Sequence, residues 1–284
     1  MKSKLIALAL TALCSVSAFA EPVQFLQSGP IYLKFNGNEQ IAVAPGTTTF
    51  AGTNEINWGV FIMTTMETGS VISANDTIGG QGDQFFNNNS HHQITGMFYD
   101  VKAGTNPTAA NPFPATGGFI DLYWRDLDAG MSKTSNTGSG PSIRCGFACA
   151  TGYTQGDFLG RLMFASGIEP GNANNFISGT TIPTSSAGFT GQANSYADVD
   201  TSKVGKWTSQ LNSNYFNSAF GARDLRFKNS YEQNTSWNGN PDSGIVGARL
   251  DDPAQAFALP EPGALSLMGL ALVGMGALRR RKQK

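Results

Sequence analysis

The sequence predicts an all-β protein, and three features of its 284 residues lead to that fold class. Short runs of β-branched and aromatic residues recur, several of them alternate apolar and polar side chains, and Gly-, Asn- and Pro-rich stretches separate them. Such alternation places one side of a strand against a core. We therefore expect a single large β-sandwich or jelly-roll-like domain with long Gly/Asn-rich loops over residues 21–250.

The strand predictions rest on six segments. IYLKF alternates Ile31, Leu33 and Phe35 with Tyr and Lys, and DLRFK shows the same period around Leu225 and Phe227. INWGVFIM, ITGMFYDV, FIDLYW and FLGRLMFA are apolar runs of strand length. These segments predict the framework of the domain.

Two other segments are predicted to depart from strand structure. VGKWTSQLNSNYF places Trp207 and Leu211 four residues apart, so it is the best candidate for a short helix. DDPAQAFALPEP is rich in Pro and Ala. We predict that residues 251–259 form a linker to the C-terminus.

The N-terminus has the three parts of a secretory signal peptide. A short basic start precedes the apolar run 5–14, and Ala18 and Ala20 form a small-residue cleavage site. We expect residues 1–20 to be removed and the exported chain to begin at Glu21.

The C-terminus combines a motif, an apolar stretch and a basic tail. The motif is Pro260, Glu261 and Pro262, and the tail opens with Arg279, Arg280 and Arg281. A helix over the uncharged residues 263–278 would be about 24 Å long, less than the roughly 30 Å of a hydrocarbon core. The positive-inside rule keeps the tail in the cytoplasm. We predict a short transmembrane helix that anchors the chain in the membrane transiently.

This combination resembles the PEP-CTERM sorting signal of Gram-negative bacteria. The resemblance covers residues 260–284 and implies that an exosortase-type membrane enzyme processes the chain during transient anchoring in the inner membrane. It implies delivery to the cell surface or the extracellular matrix. The Gly/Asn-rich body with EINWGVF also resembles a flocculation-associated member of this group.

The exported body is acidic, although the whole chain has a formal charge of −1. Two of the nineteen basic residues precede Glu21 and five follow residue 278, while Glu261 is the one acidic residue outside the body. Residues 21–259 therefore carry twelve Lys and Arg against nineteen Asp and Glu, a formal charge of about −7. The sign of this charge argues against a nucleic-acid partner.

Cys145 and Cys149 are the two cysteines left after removal of the signal peptide. An exported pair four residues apart predicts a local disulfide. A redox-active pair usually has C-x-x-C spacing, which this pair does not have. A zinc site is also disfavoured, because zinc needs about four ligands and no His lies near these cysteines.

Little in the body points to catalysis. The two histidines, His91 and His92, are adjacent, and in an extended segment they would point to opposite faces. No nucleophile elbow, metalloprotease helix or phosphate-binding loop occurs. We predict no catalytic residues and no cofactor.

A cation site and a sugar site are the open alternatives. Asp121, Asp126 and Asp128 resemble part of a calcium loop, in which the twelfth position should be acidic. Counted from Asp126 that position is Thr137, so we assign no metal site.

The aromatic residues that could stack on sugars are Trp58, Trp124, Trp207, Trp237, Tyr123 and Tyr153. Trp58 and Trp124 lie in the most apolar segments and are expected to be buried, which leaves Trp237 as the better candidate.

Two functions follow from these features. The PEP-CTERM resemblance favours a non-enzymatic exported protein that promotes aggregation, flocculation or biofilm formation with extracellular polysaccharide. The alternative is a secreted carbohydrate-binding or glycan-hydrolysing β-sandwich that carries the same sorting tag.

Overall fold

The computed structural model describes residues 25–42, 55–80, 82–135, 150–180, 190–233 and 244–261, together with 269, 270, 272 and 275. These residues are mostly in β-strands, as predicted. The strands are β1 (Gly29–Ala42), β2 (Glu55–Thr68), β3 (Ser70–Ser73), β4 (Thr77–Gly79), β5 (Gln84–Asn87), β6 (His92–Ala103), β7 (Phe113–Asp126), β8 (Asp157–Ala165), β9 (Ile177–Gly179), β10 (Thr190–Val199), β11 (Phe216–Ser218), β12 (Gly221–Arg223), β13 (Leu225–Gln233) and β14 (Ile245–Ala258). A short helix, α1, spans Thr208–Leu211.

Eight of these strands close into a ring of antiparallel pairs. In chain order they are β1, β2, β6, β7, β8, β10, β13 and β14, each paired with the next, and β14 pairs back onto β1. The predicted sandwich or jelly roll is therefore wrong, and the sheet is barrel-like with up-and-down connections. Strands of up to fourteen residues tilt and coil enough for the two edges to meet, which removes the open edges of a sandwich.

Period-two burial directs side chains into the barrel. Ile31, Leu33 and Phe35 of β1 are buried, whereas Lys34 between Leu33 and Phe35 is exposed. β2 and β6 are apolar on their outward side as well as their inward side. Their outward side chains are also buried, because a segment that includes Tyr153 covers them. Trp58 is one of these covered residues and is 2% exposed. The six predicted strand segments fall within barrel strands, apart from Asp224, which immediately precedes β13, so the prediction is confirmed.

Helix α1 packs at the end of the barrel where β1 begins and β14 ends. Trp207 and Leu211 are buried there, as their four-residue spacing predicted. Gln210 fixes the chain entering β1, since its side chain accepts a hydrogen bond from Leu26 N at 3.1 Å and donates one to Leu26 O at 3.0 Å. This end of the barrel is thereby filled by side chains.

The predicted linker is a second correction, because residues 251–258 form the second half of β14. Ala254, Ala256 and Ala258 are fully buried at alternate positions and face the core. Pro253 is tolerated because the ladder between β13 and β14 is interrupted opposite it. Small alternating side chains thus form a strand where composition predicted a loop.

Several predicted features lie outside the described residues. They are the signal peptide with Ala18, Ala20 and Glu21, the pair Cys145 and Cys149, Trp237, Pro262, and Arg279, Arg280 and Arg281. Pro260 is exposed and Glu261 half-buried, both outside helices and strands. Of the predicted C-terminal helix, the four described residues are helical and exposed. The described part of the chain contains no helix that is long and apolar enough to cross a membrane.

Candidate functional site

The tryptophans do not form a sugar-binding surface in the described residues. Trp58 and Trp124 are 2% and 3% exposed, which confirms that they are buried. Trp207 is fully buried beside α1, and Tyr153 is 8% exposed. Their indole and phenol rings therefore stabilise the core and its outer cover, and they are not available to a polymer.

The two histidines are closer together than the sequence predicted. His92 is the first residue of β6 and stacks on Trp124 at 5.0 Å between ring centroids. His91 precedes the strand in a bend, so strand alternation does not separate the rings, and their centroids are 6.2 Å apart. Nδ1 of His91 lies 3.0 Å from each carboxylate oxygen of Asp128. Among the described residues, no serine or cysteine is hydrogen-bonded to either imidazole ring.

The three aspartates of the suspected calcium loop do not share one site. Asp126 Oδ1 accepts hydrogen bonds from Asp128 N and Ala129 N and so stabilises the turn after β7. Asp121 lies within β7 and is bound to Arg161. Within the described ranges, no three His, Cys, Asp or Glu side chains are grouped to hold a metal ion.

A patch of half-exposed rings covers the outer wall of three neighbouring strands. We call it the outer aromatic face; it consists of Tyr99 on β6, Phe119 and Tyr123 on β7, and Phe158 on β8. Phe119 and Tyr123 point outward because each lies an even number of residues from Asp121, on the side away from the barrel interior. At about 3.4 Å per residue, they define a platform about 14 Å long.

Cross-strand register completes this platform. Tyr99 lies opposite Phe119 with ring centroids 5.7 Å apart, and Tyr123 lies opposite Phe158 at 5.5 Å. Adjacent rings in these offset geometries attract each other through their quadrupoles. The rings are therefore held in place before any ligand arrives.

An ion pair between the buried Asp121 and the partly exposed Arg161 lies at the centre of the outer aromatic face. Arg161 Nε and Nη2 donate hydrogen bonds to the two carboxylate oxygens of Asp121 at 2.6 and 2.8 Å. The guanidinium also lies over Phe119 at 5.2 Å and over Tyr99 at 5.7 Å. The hydrogen bonds to Asp121 raise the pKa of Arg161, although burial acts in the opposite direction.

The two tyrosines of this face keep their phenolic protons. Burial, followed by the nearby negative charge of Asp121, raises the pKa of Tyr123 to about 12 and raises that of Tyr99 further. Tyr99 Oη already donates a hydrogen bond to Asp121 Oδ2 at 3.4 Å. Both phenols therefore stay protonated at physiological pH, and their oxygens can accept hydrogen bonds from a ligand.

The chemistry of this arrangement suits a carbohydrate. Ring faces carry partial negative charge and attract the weakly positive C–H groups of a sugar, while the phenols and the guanidinium can bond its hydroxyls. The sequence indicates Tyr123 as a residue that could stack on sugars, but it gives no such indication for Phe119, Phe158 or Arg161. Alternation within FIDLYW could have shown Phe119 and Asp121 on the same side, but no local signal places Phe158 and Arg161 beside them.

No protein-family model matches this chain, and no curated protein or solved structure matches it significantly.

Proposed function

We propose that this chain is a non-catalytic exported protein that binds extracellular polysaccharide and promotes cell aggregation, flocculation or biofilm formation. The observation that carries the proposal is the outer aromatic face, where four half-exposed rings surround the Asp121–Arg161 pair. An extended face of this kind suits contact with a polymer chain. Many copies in a polysaccharide gel act multivalently, so a modest affinity at each copy is sufficient.

The test is to add purified processed protein to cells in which its gene is deleted. We expect aggregation to return in proportion to the protein added, with the polysaccharide chain length unchanged. Tyr99→Ala combined with Tyr123→Ala should abolish this effect. Tyr32→Ala is the matched control, because Tyr32 is a half-buried tyrosine on the outer side of β1.

The same experiment distinguishes the alternative function. Shortening of the polysaccharide by the protein would favour a glycan hydrolase. Full activity of the double variant would show that the outer aromatic face is not the contact surface. Restoration by a membrane-tethered form alone would show that release is not part of the mechanism.

Export and sorting belong to the same proposal. Residues 1–20 direct secretion, and the PEP-CTERM-like segment 260–284 holds the chain in the inner membrane until an exosortase-type enzyme processes it. Pro260 and Pro262 disfavour a continuous helix through Glu261. Replacing all three by Ala should leave an unprocessed, membrane-bound precursor, and release at the normal rate would contradict the assignment.

A further inference from the structure

The interior of the barrel encloses a cavity of about 110 Å³. Each of the eight barrel strands contributes to its wall, which is mostly apolar. The aromatic part of the wall consists of Phe35, Phe61, Phe98, Phe113, Phe164, Phe227 and Tyr231. Apolar cavities of roughly 150 Å³ in proteins bind molecules such as benzene. The space in this barrel therefore suits a single small ring or a short branched chain.

One carboxyl group lies in this apolar wall. Glu39 of β1 is 3% exposed, and Asn57 Nδ2 donates a hydrogen bond to its Oε2 at 2.8 Å. Burial raises the pKa of Glu39 to about 7, although the hydrogen bond from Asn57 acts in the opposite direction. Among the described residues, no cation pairs with this carboxyl group.

Two further polar atoms in the wall lack partners. Asn57 Oδ1 and Asn229 Oδ1 are buried and accept no hydrogen bond from any described residue. Both residues line the cavity. A buried acceptor without a donor has lost its hydration without compensation, so a donor inside the cavity would be stabilised at either atom.

We propose that the barrel interior is a binding site for one small, uncharged, mostly apolar molecule that carries a hydroxyl group, such as a single-ring phenol or a compact alcohol. The hydroxyl donates a hydrogen bond to Asn57 Oδ1 beside Glu39. The carbon skeleton packs against the phenylalanine rings of the wall.

The wall also selects against charged molecules. An anion would meet the acceptor oxygens of Glu39, Asn57 and Asn229. A cation would lose its hydration in a mostly apolar space. A neutral donor satisfies the acceptors without that loss. This site is separated from the outer aromatic face by the barrel wall, so the inference does not depend on polysaccharide binding.

The test uses phenol and benzene as paired probes on the processed protein. Calorimetric titration should show one phenol per chain. Benzene should bind about fivefold more weakly, because one additional net hydrogen bond contributes about 1 kcal/mol. In the Asn57→Ala variant the two probes should bind with nearly equal affinity.

A second pair of variants locates the site. Ala193→Leu fills part of the cavity and should abolish binding of both probes, whereas Ala222→Leu makes the same change at an exposed position of β12 and should not alter it. Nuclear Overhauser contacts from phenol to the methyl groups of Ile56, Val101 and Leu122 should appear in the unmodified protein. These contacts do not depend on any variant folding.

Three results would overturn the inference. Failure of both probes to bind would mean that the cavity holds water only. Equal affinity for phenol and benzene in the unmodified protein would remove the role of the hydroxyl group. Unchanged binding in the Ala193→Leu variant, without contacts to the three cavity residues, would place the probes elsewhere.

Discussion

Glu39 and Asp121 are carboxylates of similar burial, 3% and 1% exposed, on opposite sides of the barrel wall. Asp121 faces outward and receives two hydrogen bonds from Arg161, a long side chain that reaches it from β8. Glu39 faces inward and receives one amide hydrogen bond from Asn57. The two groups share a chemistry but have different environments.

This difference shows which charge states of a carboxyl group each side of the wall stabilises. On the outer side Arg161 keeps contact with water, so an ion pair forms without complete desolvation. On the inner side no cation among the described residues pairs with Glu39, and burial favours the neutral form of its carboxyl group. The outer side therefore suits polar ligands, and the inner side suits neutral ones.

The largest expected difference between the two sides is in packing energy. Phe227→Ala should lower the free energy of unfolding by about 4 kcal/mol, because Phe227 is 4% exposed and packs against Phe164. Phe119→Ala on the outer aromatic face should cost about 1 kcal/mol. Urea denaturation measures both changes. Equal losses would contradict the distinction between core and outer wall.

The next effect is a pH dependence that originates at Glu39. Its pKa is about 7 in the folded chain and 4.5 in its ordinary state, so only the unfolded chain loses this proton between those pH values. The stabilising contribution is complete below pH 4.5 and is lost as pH rises through 7. Relative to Glu39→Gln, the unmodified protein should lose about 3 kcal/mol between roughly pH 4 and pH 8.

The matched control for this measurement is Glu67→Gln. Glu67 lies on the outer side of β2 and binds Lys34 at 2.8 Å, and the Lys34 side chain is 46% exposed. The Glu67 side chain is only 11% exposed, but water around Lys34 screens the pair, so it contributes about 1 kcal/mol and this variant should differ little from the unmodified protein. A constant difference between Glu39→Gln and the unmodified protein across the same pH range would disprove the neutral state of Glu39.

A smaller effect is expected when the outer ion pair is broken. Asp121→Asn should lower stability by about 2 kcal/mol, less than a fully buried pair would lose, because Arg161 can turn toward water. A double-mutant cycle with Arg161→Met measures the coupling directly. Additive losses from the two substitutions would show that the pair contributes no coupling energy.

The smallest stability effect is expected at the surface that we propose binds polysaccharide. Tyr123→Ala should cost about 1 kcal/mol of stability and weaken retention on the polysaccharide by about fivefold. Affinity electrophoresis in gels containing the polysaccharide measures retention. The control Tyr32→Ala should be retained like the unmodified protein. Equal weakening of retention by both substitutions would contradict a specific role of the outer aromatic face in binding.

The local pattern was a sound guide to the strands. Period two around Ile31 and Leu33 predicted an inward side of β1, and the four-residue spacing of Trp207 and Leu211 indicated α1. These predictions succeed because burial of alternate or i, i+4 side chains depends on nearby residues alone. The linker prediction over 251–259 failed because alanines alternate without bulky residues to reveal the period.

The sequence alone determined the strand content, the acidic charge of the body and the residue types available to each site. The closure of the ring, the pairing of Tyr123 with Phe158 and of Asp121 with Arg161, and the inward position of Glu39 among phenylalanines were decided by tertiary structure. Register between strands distant in sequence depends on the summed packing of all eight strands. No single segment carries that information, so the candidate sites emerge only when the barrel closes.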